Sequence, residues 1–416
     1  MTVALSLQPP PSTAPLPLAI IANASAPYRV FLHTRIAREM PAIQIHSIFT
    51  HEAAGQSLWG ADVPAEIRPV LLGDGEAPTS GPPDPLEAMR EWRKGGEIID
   101  YLRKHCVRAV VLNGYDDPGR LRLILWCHKN GIPLFLWGDS NSRGDRARGL
   151  KRRVKTALLD FILPRCSGVL ACGQLGKEYF SNYGVPVEKI FIQPLESDYT
   201  VFQQRDTDRQ RAVAEKLALK PRRRRLVFCA RLAGVKRADV VIDAFSRIAA
   251  RRPEWDLVLL GQGPLKDQLK PRILPKLEHR VTWAGFFSDP RDVAAVYHQC
   301  DVLVLPSDYE PWALVVVEAV IAGLAIVSSN VVGAAPELVQ DGVNGFLFPP
   351  GDVLTLERCL LDVTDPDRID NMKNASADVL QAWRTRSDPI AGLSKALESV
   401  GINAGTDGPT ATLSIG

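Results

Sequence analysis

Glu318 is the residue in this chain whose setting most demands an explanation. Its neighbours Val315, Val316, Val317, Ala319, Val320 and Ile321 are all apolar, and a buried carboxylate without a partner is costly. It is therefore either paired within the protein or accepts hydrogen bonds from a ligand's hydroxyls. Glu310 stands eight residues earlier, and two carboxylates at this spacing can accept hydroxyls from a sugar and from a ribose. Further upstream, Cys229-Ala230-Arg231-Leu232-Ala233-Gly234-Val235-Lys236-Arg237 places Arg231 at the end of a predicted strand and Lys236 just before a helix. Two cations beside a helix N-terminus suit a diphosphate, although basic residues at loop ends are more often simply solvated. Gly261-Gln262-Gly263-Pro264 either lets a backbone approach a ligand or makes a plain strand-to-helix turn. The complete G-x-G-x-x-G is absent, with Gln268 where a glycine would help. Pro336-Glu337 reads as the start of a helix that Glu337 caps or as a ligand contact. Asp341-Gly342-Val343-Asn344-Gly345 reads as a turn.

The elements that must position these residues alternate along the chain. Leu18–Ala24, Ile43–Phe49, Ala109–Leu112, Pro133–Trp137, Gly168–Ala171 and Ile190–Gln193 read as strands. Helical patterns fall between them at Leu86–Lys104, Leu121–Asn130, Leu150–Leu163 and Gln174–Tyr183. A charged, weakly apolar stretch from Gln203 to Arg225 breaks the rhythm. It then resumes with strands at Leu226–Ala230, Leu257–Gly261, Val281–Gly285, Val302–Pro306, Ala325–Ser328 and Phe346–Phe348, and with a helix at Ala238–Ala250. Two such series predict an α/β protein of two doubly wound, Rossmann-like domains facing a cleft, with ligands at the carboxyl ends of the strands. The expected boundaries are a disordered tail over 1–17, a first domain over 18–200, a linker over 201–224 and a second domain over 225–382. A C-terminal helix over 383–401, packing back on the first domain, and a disordered tail over 402–416 complete the plan. Pro311 is expected in the first turn of a helix, with Glu318 about two turns inside it.

The bulk numbers narrow the function classes. At 416 residues two domains are the natural division, and a net charge of +3 argues against a surface wrapped in nucleic acid. The seven cysteines form no C-x-x-C unit and no zinc-like spacing, so they read as free thiols in the cytosol. No secretory leader is legible, because five prolines interrupt the first 17 residues. Trp312–Val327, the most membrane-like run, reads as a buried helix followed by a buried strand. Asp365-Pro366-Asp367 imitates a metal-binding D-x-D but falls in a turn-rich stretch away from the strand ends.

The Glu310-x7-Glu318 spacing, preceded by Leu305-Pro306-Ser307, resembles the hallmark of retaining glycosyltransferase family 4, whose members have the GT-B fold. Supporting pieces follow in that family's order: Arg231…Lys236, Gly261-x-Gly263, the strand Asp301–Ser307, and Pro336-Glu337…Asn344-Gly345. The resemblance covers roughly residues 160 to 355. It implies that Arg231 and Lys236 hold a donor's diphosphate, that Glu318 binds the nucleotide ribose and that Glu310 contacts the transferred sugar. Amides around Trp312, Ala313 and Leu314, with Gly261 and Gly263, would complete the donor pocket. The family usually has glycine at the Ala313 and Ala230 positions, and the first departure bears on which sugar is accepted.

In the first half, the family's glycine-rich loop is replaced by Asn23-Ala24-Ser25-Ala26-Pro27-Tyr28-Arg29. Asn113-Gly114-Tyr115-Asp116 and Trp137-Gly138-Asp139-Ser140-Asn141-Ser142 follow strands, and Asp139 is the candidate acceptor-side group near the reacting carbon, or an ordinary Asp turn. The resemblance implies transfer from a nucleoside-diphosphate sugar to a glycan, lipid-linked or small-molecule hydroxyl, with retention and without a metal or other cofactor. Bacterial polysaccharide or glycoconjugate synthesis is the expected setting. A nucleotide-sugar epimerase and a non-catalytic nucleotide-sugar binding protein are the rival readings. The run Arg143, Arg146, Arg148, Lys151, Arg152, Arg153 and Lys155 leads into an apolar helix. It predicts a solvated basic face, a hold on a phosphorylated acceptor, or docking on an anionic membrane, peripheral to the inner face of the plasma membrane.

Overall fold

The computed structural model describes residues 14–52, 63–73, 84–115 and 117–405. The first series of elements opens with β1 (Leu16–Ala22), α1 (Pro27–Glu39), β2 (Ile43–Phe49), β3 (Val70–Leu71) and α2 (Pro85–Lys104). It continues through β4 (Ala109–Asn113), α3 (Pro118–Lys129), β5 (Leu134–Gly138), α4 (Gly149–Ile162), β6 (Gly168–Ala171), α5 (Gln174–Asn182) and β7 (Ile190–Ile192). The sheet runs β3-β2-β1-β4-β5-β6-β7. β1 lies parallel to both β2 and β4, in the register Leu18 to Ile45 and Leu18 to Ala109. The six anticipated strands are present within two residues at each end. The two-residue β3 was not anticipated, since two residues show no period.

After α6 (Tyr199–Gln203) and α7 (Thr207–Lys216), the second series runs β8 (Arg224–Cys229), α8 (Ala238–Ile248), β9 (Trp255–Leu260), α9 (Lys266–Leu269), β10 (Val281–Gly285) and α10 (Pro290–Tyr297). β11 (Val302–Leu305), α11 (Leu314–Ile321), β12 (Ala325–Ser329), α12 (Ala335–Leu338) and β13 (Gly345–Phe348) follow, then α13 (Val353–Val363), α14 (Ile369–Arg386) and α15 (Pro389–Glu398). This sheet runs β10-β9-β8-β11-β12-β13, all parallel. Both sheets are the doubly wound, Rossmann-like kind. In the second, Leu226, Phe228, Leu257, Leu259, Val302 and Val304 are fully buried and pack with Val241, Phe245 and Ile248 of α8. Each such side chain contributes about 2 kcal/mol on burial. The apolar run through Trp312 divides as anticipated, into α11 and β12.

The chain forms two compact units, one of residues 1–137, 157–170 and 390–416, the other of residues 138–156 and 171–389. The stretch expected to be a linker instead holds α6 and α7. Arg209 of α7 pairs with Asp289 and Asp292 at the start of α10, at 3.2 and 2.5 Å, and Val213 is buried. The charge of this stretch thus serves in part to clamp α7 to α10. Leu16 and Pro17, placed in a disordered tail, already belong to β1, and Ala404 is fully buried. The expectations for residues 1–13 and 406–416, and for Asp116, lie outside the described residues. All seven cysteines are free, and five are buried.

Candidate functional site

The second unit gathers its chemistry where loops leave the carboxyl ends of β8, β9, β11 and β12. The loop after β8 carries Arg231, which is exposed and has no ion-pair partner among the described residues, and Lys236, which is half-buried. Glycines set how close the neighbouring loop lies. Gly261, at φ +147°, has the Ala230 carbonyl where a Cβ would sit, and Gly263 has Leu232 backbone in the same place. The Gly261-x-Gly263 pair therefore lets two post-strand loops touch, sealed by the Leu232 amide donating to the Gln262 carbonyl at 2.9 Å. Its immediate partner is backbone of the Arg231 loop.

The loop after β11 departs from its sequence reading. The helix begins at Leu314, and Pro311 stands outside it. Non-helical backbone from Glu310 to Trp312, bent at Pro311, is claimed by tertiary partners: Glu310 bridges in parallel to Val332, Gly333 N–H donates to the Glu310 carbonyl at 3.2 Å, and Ala334 N–H donates to that of Trp312 at 2.8 Å. Any side chain at Gly333 would strike the Pro311 carbonyl. The chain then turns through Ala313 at φ +76° and ψ +79°, the left-handed region where a Cβ costs roughly 1 kcal/mol. This is the position at which the resembled family has glycine, and here the strain is accepted with a methyl group present. Glu318 consequently lies about one turn into α11, not two.

The two carboxylates occupy different surroundings. Glu310 forms an ion pair with Lys236. Glu318 accepts from Ser197 Oγ at 3.0 Å, and although part of the residue still meets solvent, burial of its carboxyl pushes its pKa up to about 7. Trp312 is anchored inside the unit: its indole N–H donates to the Leu195 carbonyl at 2.9 Å and its ring lies 6.3 Å from that of Trp383. Only its backbone is left to face a ligand. Glu337 does not cap its own helix. It accepts from the Gln174 amide at 2.7 Å, capping α5, whose N-cap Gly173 has room for no side chain between Glu337 and Trp312.

Residues 138–156 join this site. The negative charge of Asp139 acts on Tyr309, whose pKa is raised first by burial and then by Asp139, with Glu310 contributing as well. Asn141, quoted in the sequence but given no role, is the residue that the reading missed. Buried, it directs Nδ2 at the carbonyls of Glu310, Pro311 and Val331 at 2.8, 3.0 and 3.2 Å, while its Oδ1 accepts from Gly144 N–H at 2.6 Å. Arg143 donates to the Asn330 carbonyl at 2.8 Å, and Arg146 to that of Asp308. Lys155 pairs with Asp145 at 3.0 Å. Much of the basic run is therefore committed to holding loops of its own unit. Only the polar, post-strand position of Asn141 hinted at such a part.

In the first unit, the loops after β1, β2 and β4 are joined by a second constellation. Glu52, fully buried, accepts from the amide and hydroxyl of Ser25, each at 2.9 Å. Arg120 of α3 donates to the Asn113 carbonyl at 2.7 Å and contacts Asn23 and Asp117. The altered loop Asn23–Arg29 is thereby built around Glu52. Among the described residues no group of three or more His, Cys, Asp or Glu could hold a metal ion, and Asp365 caps the turn at Asp367.

Asn141→Asp tests the loop clamp. It keeps the shape but turns an acceptor toward three carbonyl oxygens. Denaturant unfolding is expected to show a loss of about 2–4 kcal/mol, larger than for Asn141→Ala.

The assembled site holds two cations, one buried carboxyl that titrates near neutrality and one ion-paired carboxylate, at the strand ends of a doubly wound sheet. Residues 209–377 match the family model described as glycosyl transferases group 1. A glycogen synthase of Mycobacterium tuberculosis is 35% identical over 143 residues, 34% of each chain. A GDP-mannose-dependent α-(1-6)-phosphatidylinositol dimannoside mannosyltransferase of the same species is 28% identical over 213 residues, 49% of this chain and 53% of that protein. The chain thus spans about a third to a half of the length of the curated relatives it matches. Anabaena HepE, crystallised with UDP and glucose, superimposes with a TM-score of 0.69 at 17% identity, over 93% of this chain and 99% of that one. The fold is that of the GT-B glycosyltransferases, and residues 209–377 are similar to the glycosyl transferases group 1.

Proposed function

We propose that this protein is a retaining glycosyltransferase of family 4 that moves a sugar from a nucleoside-diphosphate sugar to an acceptor hydroxyl. The observation that carries the reading is the Lys236–Glu310 ion pair, which joins the loops after β8 and β11, together with the buried carboxyl of Glu318 in the helix that the second loop enters and with Arg231 exposed on the first. In this reading the incoming diphosphate takes Lys236 and Arg231 as its counter-charges. Glu310 is released from Lys236 and turns its carboxylate to the sugar hydroxyls. Glu318 accepts from the ribose. Fixed cations stabilise the charge that develops on the leaving diphosphate, the largest contribution protein electrostatics makes to such a step. The sugar–phosphate bond breaks as the acceptor oxygen approaches from the same face, and the departing phosphate oxygen takes the acceptor's proton. Asp139, beside Tyr309, orients the acceptor side. The left-handed Ala313 places a methyl group at the start of α11, and that group narrows the range of sugars accepted.

An anionic membrane surface is proposed as the place of action. Support comes from α4, where Leu150 and Val154 are 75% and 62% exposed and alternate with exposed Lys151 and Arg153. An exposed apolar pair flanked by cations matches an interfacial helix. The acceptor would then be lipid-linked, in polysaccharide or glycoconjugate assembly.

Arg231→Ala or Lys236→Ala is expected to lower turnover of a nucleotide-sugar panel at least a hundredfold with an unchanged circular dichroism spectrum. Undiminished nucleoside-diphosphate release by either variant overturns the assignment. Product formed from the donor alone would indicate an epimerase, and binding without release a carrier; proton NMR of the product reports the anomeric outcome. Glu318 adds a pH signature. Its folded pKa of about 7 lies above the ordinary 4.5, so its contribution to stability is present below the lower value and lost as pH rises through the upper one. Ribose binding needs the carboxylate, so affinity for a nucleotide sugar should rise roughly tenfold from pH 6 to pH 8 by calorimetry. Glu318→Gln should bind weakly with a flat profile, and an equally flat wild-type profile refutes the role. Vesicles containing anionic lipid should sediment the wild-type protein but not Leu150→Glu/Val154→Glu, and neutral vesicles should sediment neither.

A further inference from the structure

The sheet that carries the donor-side loops at its carboxyl ends has a second cavity at its amino ends. It measures about 400 Å³ and lies between the start of β8, the turn before β11 and the end of α11. Arg224 on its wall and Cys229 stand at opposite ends of β8, five residue steps or about 17 Å of extended chain apart, so this cavity is distinct from the site above. Its wall contains Arg205, Arg222, Arg223, Arg224, Arg225 and Lys373 against a single acid, Asp301.

The ion pairs do not balance that charge. Arg223 is matched by Asp256 at 2.6 Å. Arg224 and Lys373 share Asp301 at 2.8 and 2.7 Å, and Arg224 also reaches Asp370 at 2.8 Å. Three carboxylates thus serve three cations, and three cations remain. Arg205 and Arg222 are exposed and have no ion-pair partner among the described residues. Arg225 is only 5% exposed, yet its guanidinium meets carbonyls alone, those of Gln299 at 2.9 Å and of Lys220, and its Nε has no hydrogen-bond partner. A buried guanidinium without a carboxylate is costly unless an anion accompanies it. Arg222 is also held at φ +55°, in the left-handed region, where a loop keeps a β-carbon only at a cost.

We propose that this cavity is a binding site for a phosphate-bearing small molecule, separate from the donor site. Unpaired guanidinium groups converging on one concavity are the arrangement that recognises phosphate, through forked, charge-assisted hydrogen bonds. A concavity of about 400 Å³, open to solvent on one side, fits a small solute better than a flat lipid surface or a duplex. The inference does not depend on the transferase reading.

The test uses the full chain carrying Arg231→Ala and Lys236→Ala, so that the donor-side cations cannot contribute. Calorimetric titration with inorganic phosphate, at constant ionic strength against chloride, should show saturable one-to-one binding. Adding Arg205→Ala and Arg222→Ala should weaken that binding at least tenfold while the circular dichroism spectrum and melting temperature stay within error, since both side chains are exposed. Saturable binding that survives these two substitutions overturns the proposal, as does heat that scales only with ionic strength. Binding to anionic vesicles that persists with Leu150→Glu and Val154→Glu added and is lost with Arg205→Ala and Arg222→Ala would also overturn it, by assigning the patch to a membrane.

Discussion

One buried amide holds the donor-side loops of the second unit in place. Asn141 Nδ2 lies against three carbonyl oxygens drawn from two different loops, one of which, that of Glu310, also accepts from Gly333 N–H at 3.2 Å. Every residue of the proposed chemistry that follows β11 depends on this arrangement. Together with the contacts of Gly333 and Ala334 it holds Glu310 to Trp312 outside the helix, which begins at Leu314. A carbonyl left bare in such a place would cost as much as a lost hydrogen bond, which is why the segment does not simply continue as helix through Pro311.

Close backbone approach is the second constraint, and it explains three glycines by one cause. Gly261, Gly263 and Gly333 each face a carbonyl or backbone of an adjacent loop where a side chain would stand. Loops at neighbouring strand ends pack edge to edge, and residues such as Arg231 and Lys236 are presented from their rims. The charge pattern then follows from what each carboxylate can reach. Glu310 has Lys236, while Glu318 has only a hydroxyl and stays poised near neutrality.

The same sheet uses charge quite differently at its opposite ends. There Asp301 gathers Arg224, Lys373 and the Arg225 amide, tying the start of β8 to the turn before β11 and to α14. These pairs hold the strands together from below, and the cations left over face the cavity. The basic run Arg222–Arg225 is thus divided between structural pairing, at Arg223 and Arg224, and the proposed anion site.

The sequence by itself determined the two series of alternating strands and helices, the placement of the candidate residues after strands, and the anomaly of Glu318 in an apolar run. These rest on periodicity and local composition, which short-range physics enforces. It also pointed to Arg231, Lys236 and Glu310, though only as a set. Tertiary structure alone decided that Asn141 is the clamp, that Glu337 caps α5, that Arg143 and Arg146 hold loops of their own unit, and that Arg209 turns a supposed linker into a packed helix. In each case the partner lies tens to nearly two hundred residues away and is often a backbone carbonyl. Every residue has a carbonyl, so no pattern of residue types along the chain can announce which one will be met.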